Sequence, residues 1–387
     1  MKPPAATASA TVEKILVRGV NWLGDAVMSI PALQRLREAK PDAHIALLAP
    51  EKLAGLWEGQ PFFDELILLS PSDSAWQTGR RLREKRFTAG LAFPNSTRSA
   101  LELWLAGIPR RVGLRRAFQS ILLTEPLSPR PGARRMRKRS AGEIRRLVAR
   151  GSSPAPMPST AHHVYDYLYL AAALGASAEP LAPRLSIGQE EVEAAAARLG
   201  LASVRENKPY FGMNPGAEYG PAKRWPAESF VATAIAVHKA TGCRWIIFGG
   251  PADREFAHFI STATGRYLPD QPVINLAGQT TLRELAGVLK SCRVLLTNDS
   301  GPMHLAAAVG TPVVVPFGST SPEMTGPFMA AHSGVLRAPG IACAPCFRRE
   351  CPIDFRCLRK IEVNTVVEAI LRMAGLPSEA NSNPPAA

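Results

Sequence analysis

The chain has 387 residues, 46% of them hydrophobic, and a formal net charge of +14. That apolar content is ample for buried cores and excludes gross disorder, and the length suits two domains of ordinary size. No run of eighteen or more apolar residues argues for a membrane-spanning helix, while the excess positive charge calls for an anionic partner: a nucleotide, a nucleic acid or an acidic membrane face.

Met1 to Thr11 is rich in Ala and Pro and lacks a secretory apolar core, so it reads as a short lead-in to a cytoplasmic protein. Lys14 to Arg18 is a first strand, Gly19 to Gly24 a loop, and Asp25 opens a helix. Val27, Ile30, Leu33 and Leu36 give that helix one apolar face. Further strands are expected at His44 to Leu48, Glu65 to Leu69 and Ala89 to Phe93, with helices at Ala75 to Lys85 and around Leu101 to Ala106. This alternation points to a parallel sheet covered on both faces. From Leu127 to Pro158 it dissolves into a long basic loop with one short helix, Gly142 to Ala149. After a helix at His162 to Leu174, Glu179 to Ser186 carries two prolines and reads as the interdomain linker.

A second alternating set follows. Helices are expected at Glu190 to Leu199, Glu228 to Thr241, Asp253 to Thr264 and Leu282 to Ser291. Strands are expected at Tyr210 to Met213, Arg244 to Phe248, Val273 to Leu276, Val294 to Leu296 and Val313 to Val315. Asn364 is read as the cap of a last helix ended by Gly375, and the tail from Ser378 as disordered. The expected division is therefore an α/β chain with domains 12–183 and 184–360, a terminal helix 361–376 and a tail 377–387. In doubly wound folds of this kind ligands bind beyond the carboxyl ends of the strands, and two facing domains give a cleft.

Three loops after strands in the second half share a chemistry. Asn214 to Pro226 is Gly-rich and brings Lys223 and Arg224 just ahead of a helix; Phe248 to Asp253 is a second small-residue loop. The third, Thr297-Asn-Asp-Ser-Gly-Pro-Met-His304, joins a buried strand to a helix. Ser300 or Gly301 can cap that helix, and Pro302 suits its first position. Free N–H groups and the positive dipole end there favour an anion such as a pyrophosphate, and a Lys adds a point charge. His304 lies in the first turn, able to bond a phosphate or merely to pack. Asp25 sits where a helix dipole favours its ionised form, which suits a general base, though an N-capping Asp is the plainer reading. Neither a Walker loop nor a well-set G-x-G-x-x-G is present.

Taken in order, Asn21-Trp-Leu-Gly-Asp25, Pro215 to Pro226 and Thr297 to His304 resemble the motifs of the bacterial ADP-heptose:lipopolysaccharide heptosyltransferases, and most of all those adding the second inner-core heptose. The similarity runs from about Lys14 to Gly375. It implies a GT-B fold: two Rossmann-like doubly wound domains facing a cleft, with the C-terminal helix crossing back to the first. It implies an inverting transferase needing no cofactor, with ADP-heptose as donor and a heptosylated Kdo–lipid A inner core as acceptor, acting at the cytoplasmic face of the inner membrane. Carried over residue by residue, the resemblance puts the base on Asp25 and the phosphate-binding Lys on Lys223. It puts the rest of the donor site on Asp299, Ser300, Gly301 and His304, with Gly216, Glu218 and Asp253 beside them.

The basic stretch from Arg110 to Arg150 suits acceptor carboxylates, phosphates and an anionic membrane, with Arg98 and Arg115 as the candidate acceptor contacts. Another nucleotide-sugar enzyme of the same fold is the alternative. A nucleic-acid-binding protein is the alternative outside enzymes, and no interleaved aromatics or reader module support it. Cys343, Cys346, Cys351 and Cys357 depart from the best-known members. Their C-x2-C-x4-C-x5-C spacing suits a structural Zn²⁺, free thiols or labile disulfides.

Overall fold

The computed structural model describes residues 12–151, 157–201, 209–269 and 273–377. The expected lead-in, Met1 to Thr11, and the tail from Ser378 fall outside them. Two compact units divide the chain. The first comprises residues up to Asn21, Pro31–Arg130 and Asp166–Pro180; the second comprises Trp22–Ile30, Pro131–Tyr165 and Leu181 onward.

The first unit is a six-stranded sheet of β1 (Lys14–Arg18), β2 (His44–Pro50), β3 (Glu65–Leu69), β4 (Ala89–Ala92), β5 (Arg110–Leu114) and β6 (Glu125–Leu127). All pairings are parallel, in the order β3-β2-β1-β4-β5-β6. The central strands read as unbroken apolar runs because helices cover both faces. Ile15, Leu16 and Val17 in β1 and Ile45 to Ala49 in β2 are fully buried.

The second unit repeats the plan with β7 (Tyr210–Asn214), β8 (Arg244–Ile247), β9 (Ile274–Asn275), β10 (Leu295–Thr297), β11 (Val313–Pro316) and β12 (Ser333–Leu336). These too are parallel, in the order β12-β11-β10-β7-β8-β9. Each sheet reverses direction once, between β1 and β4 and between β7 and β10. That is the crevice where a doubly wound sheet accepts a ligand.

Three strands, β5, β6 and β12, are absent from the sequence reading. β5 and β6 are arginine- and proline-bearing, and Arg110 of β5 pairs with Glu125 of β6 at 2.8 Å. The basic stretch thus contributes sheet as well as loop. Its expected helix runs Ala141–Arg150, capped by Ser140, whose hydroxyl accepts from the Glu143 N–H. The final helix, Val363–Met373, has Glu362 rather than Asn364 at its cap position. It buries Val366, Ala369 and Ile370 in the same core as Phe230 and Val237.

Candidate active site

The turn after β10 is built around Asn298, which is fully buried. Its amide Nδ2 donates to the carbonyl oxygens of Pro215 (2.7 Å) and Gly216 (3.4 Å), and its Oδ1 accepts from the Trp225 N–H at 2.9 Å. One side chain thereby fixes both ends of the loop after β7 to the turn after β10. Asn214, the last residue of β7, adds bonds to Thr297 Oγ1 (3.4 Å) and Ser300 Oγ (3.3 Å).

Gly301–Ala308 then runs as a helix with Ser300 at its cap position and a proline at its start. The Ser300 side chain does not cap it. Its hydroxyl lies 3.3 Å from Thr297 Oγ1 instead. The first N–H groups of this helix are therefore not consumed by its own serine, which keeps the positive end available to an anion.

Lys223 ends the short turn Pro221–Lys223. Its Nζ stands 2.6 Å from Asp299 Oδ2, with the two side chains 14% and 4% exposed. Thr320 Oγ1 donates to the same carboxylate oxygen at 2.5 Å. Asp299 therefore holds the Lys223 ammonium close to the start of the helix that follows it. The Tyr219 ring lies 5.0 Å from Nζ and is itself anchored, its hydroxyl donating to the Phe347 carbonyl at 2.7 Å. The Arg349 guanidinium stacks over the other partner of this pair, 5.3 Å from the Tyr219 centroid, and the Arg349 carbonyl accepts from the Ala222 N–H at 2.9 Å. Gly220, at φ +142°, passes so close to that carbonyl that a Cβ would lie 2.7 Å from its oxygen.

Burial pushes the His304 imidazole down to about 3, with the Lys223, His162 and His163 charges adding to it against the opposing pull of Asp299. His304 is thus neutral at physiological pH, a hydrogen-bond donor rather than a cation. The turn carrying Asp25 lies against it. A Cβ on Gly24 would come 2.9 Å from His304 Cδ2, and a Cβ on Gly301 would come 2.8 Å from the Cβ of Leu23. Asp25 itself is half-buried in the first turn of Leu23–Ala39, inside the helix rather than at its cap. Asp25, Lys223, Asp299, Ser300, Gly301 and His304 all belong to the second unit.

Other expected residues sit differently. Asp253 spends its carboxylate on the Gly250 N–H (3.0 Å) and on Arg224 (3.4 Å). Gly216 is the position that lets it close, since a Cβ there would stand 2.5 Å from that carboxylate. Glu218 is exposed. Arg98 bonds Glu102, a fully buried carboxylate it shares with Arg18 (2.8 Å each), and Arg115 is exposed at the end of β5. Asn298, Thr320, Tyr219 and Arg349 were missed as contributors. Asn298 and Tyr219 left a trace, each lying inside a motif that carries the resemblance.

The four clustered cysteines are free thiols lining one apolar cavity with Ile144, Ala222 and Ser319. Burial pushes the Cys357 thiol up to about 12. Among the described residues no group of three or more His, Cys, Asp or Glu is set to hold a metal ion. What the cysteine loop does is carry Phe347 and Arg349 to Tyr219 and Ala222. It is held in turn by the Cys346 and Phe347 N–H groups donating to Ser319 O at 3.0 and 2.7 Å.

The model of glycosyltransferase family 9 (heptosyltransferase) matches residues 133–355, which span the Lys223 loop, the Asn298 turn and the Asp299–His304 helix start. The chain belongs to glycosyltransferase family 9. Lipopolysaccharide heptosyltransferase 2 of Salmonella typhimurium and its Escherichia coli counterpart are each 31% identical over 322 residues, 81% of this chain and 85% of the relative. The solved E. coli ADP-heptose lipopolysaccharide heptosyltransferase II superposes with a TM-score of 0.72 at 28% identity, covering 93% of this chain and 98% of that one. A family 9 glycosyltransferase from Veillonella parvula superposes at 0.73 with 24% identity, covering 94% and 97%, a likeness of fold. This family 9 enzyme is therefore a glycosyltransferase with two α/β domains, and the resemblance read from its three motifs holds.

Proposed function

We propose that this glycosyltransferase moves L-glycero-D-manno-heptose from ADP-heptose to the lipopolysaccharide inner core, adding the second heptose with inversion. The observation that carries the reading is the Lys223–Asp299 pair, 2.6 Å apart beside a helix start that its own serine leaves uncapped. It is supported by relatives named heptosyltransferase 2 that match most of the chain. The donor diphosphate binds at that helix start and against Lys223. As the sugar–phosphate bond breaks, negative charge grows on the leaving ADP while the sugar becomes oxocarbenium-like. The ammonium and the helix N–H groups stabilise the growing charge, a role that asks for no metal cofactor. Neutral His304, in the first turn of that helix, supplies a hydrogen-bond donor to the diphosphate. Asp25 accepts the proton of the attacking hydroxyl; with the leaving group so stabilised, deprotonation comes late and a weak carboxylate base suffices.

The acceptor is a Kdo–lipid A core already bearing one heptose, with Arg98 and Arg115 among the groups meeting its anions. The enzyme works as a peripheral protein at the cytoplasmic face of the inner membrane. No described helix is long and apolar enough to cross a membrane. The test is transfer from ADP-heptose to purified heptosyl-ended and Kdo-ended acceptors, with and without EDTA. ADP release that needs the heptosyl-ended acceptor and survives EDTA is expected. ADP binding without transfer to either acceptor would assign another donor or acceptor.

A further inference from the structure

We infer that the first unit carries a docking edge for an anionic lipid bilayer, built from Phe118, Ile121 and Trp76 among arginines. The inference rests on the proposed lipid-anchored acceptor only for its biological sense; the surface itself is read from this unit alone. Because every strand of the first sheet is parallel, all its strand-to-helix connections emerge at one edge. The connection after β3 leads into Ala75–Arg83 and presents Trp76, 71% exposed. The one after β4 leads into Thr97–Leu105 and presents Arg98. The one after β5 holds the exposed Arg115 and Arg116, then the short helix Gln119–Leu122, with Phe118 and Ile121 each 80% exposed.

These connections are tied side by side. Arg116 Nη1 donates to the Asn95 carbonyl at 3.3 Å, joining the third to the second, and Arg98 Nη2 donates to the Asp73 carbonyl at 2.6 Å, joining the second to the first. Phe118 and Ile121 are three apart and point from one side of the same turn.

A single exposed apolar side chain is ordinary. Here three large ones share an edge with the exposed Arg115 and Arg116. Glu102 answers two arginines at once, and Asp73 lies 3.6 Å from Arg81. No carboxylate pairs with Arg115 or Arg116 among the described residues. Apolar and aromatic side chains entering the headgroup boundary, ringed by guanidinium groups against lipid phosphates, are the chemistry of interfacial docking. A protein partner would leave the arginines in need of an acidic face, whereas an anionic bilayer satisfies both halves at once.

The experiment is co-sedimentation of the full-length protein with phosphatidylglycerol/phosphatidylethanolamine vesicles and with phosphatidylcholine vesicles, for the wild type and for Phe118→Asp/Ile121→Asp. Wild type is expected to bind the anionic vesicles, to bind phosphatidylcholine at least tenfold less, and to release in high salt. The double variant is expected to lose at least tenfold in anionic-vesicle binding while keeping its thermal midpoint and its turnover on a delipidated acceptor. Absent vesicle binding by wild type, undiminished binding by the variant, or equal binding to both lipids would each overturn the docking edge. A concentration-dependent dimer abolished by the variant, without vesicle binding, would also overturn it and give the edge to a second copy. Failure of transfer to the delipidated acceptor tests the proposed reaction instead and leaves the vesicle result standing.

Discussion

Gly24 and His304 touch so closely that a single added methyl group would stand 2.9 Å from the imidazole Cδ2. The segment bearing Asp25 is thereby seated on the start of the helix Gly301–Ala308. Gly24→Ala should cost about 1 kcal/mol or more, since a buried ring must give way, and should lower turnover because the displaced residue precedes Asp25. Urea unfolding and steady-state transfer check both; a variant with unchanged turnover would separate this contact from catalysis.

Removing the Asp25 carboxylate should spare donor binding and remove the proton acceptor. Asp25→Asn is expected to bind ADP normally by calorimetry and to lose roughly 10²–10⁴-fold in turnover, the usual worth of a general base. Full activity would take Asp25 out of the mechanism.

Lys223→Ala removes one charge-assisted contact to the diphosphate, worth about 1.5–3 kcal/mol, so ADP affinity should fall roughly tenfold to a hundredfold. It also strands the Asp299 carboxylate, 4% exposed, and protein stability should drop with it. Lys223→Ala/Asp299→Asn should recover stability but not affinity. Calorimetry and thermal melts of wild type and the two variants separate the two effects.

The neutral, buried His304 predicts a pH dependence of stability. Its folded value lies near 3 against 6.5 when free, so the unfolded chain binds the extra proton between those limits. The stabilisation is complete above pH 6.5 and is lost as the pH falls through the window, at roughly 1.4 kcal/mol per unit. Between pH 7.5 and 5 wild type should lose about 2 kcal/mol that His304→Gln does not lose. Urea midpoints at the two pH values decide this, and an equal drop in both proteins would place the titration elsewhere.

Tyr219 ties the Lys223 loop to the cysteine loop through one hydroxyl. Tyr219→Phe keeps the ring beneath the ammonium and deletes that bond. A loss of about 0.5–1.5 kcal/mol in stability is expected, together with weaker ADP binding, by calorimetry, if the brace steadies Lys223.

Much of this was legible in the sequence because its signals are local. Buried parallel strands such as Leu295–Thr297 are apolar on both faces, and the polar turn that follows is short. The strand–turn–helix at Leu295–Ala308 could thus be read from residue type and position, whereas Lys223 and Asp25 were singled out by the resemblance of their motifs. What escaped depends on distant partners. Arg110 and Arg111 look like loop residues until Glu125 and the Leu122 and Ile108 carbonyls take up their guanidinium groups. Thr320 carries no local mark, since its importance lies in reaching a carboxylate on another connection. The cysteine spacing leaves a metal, free thiols and disulfides open, and says nothing of the apolar cavity that the four residues line together.

The bonds made by Asn298 also bear on cooperativity. The Trp225 N–H bonds an oxygen from a turn 73 residues away in the chain. It cannot exchange with solvent while that turn stays closed, however freely the rest of its own loop moves. Opening either segment breaks the same three bonds, so the two connections fluctuate as one unit. A nucleotide that orders the helix start therefore also orders the lysine loop, and the Trp225 amide becomes an internal clock for the opening of both.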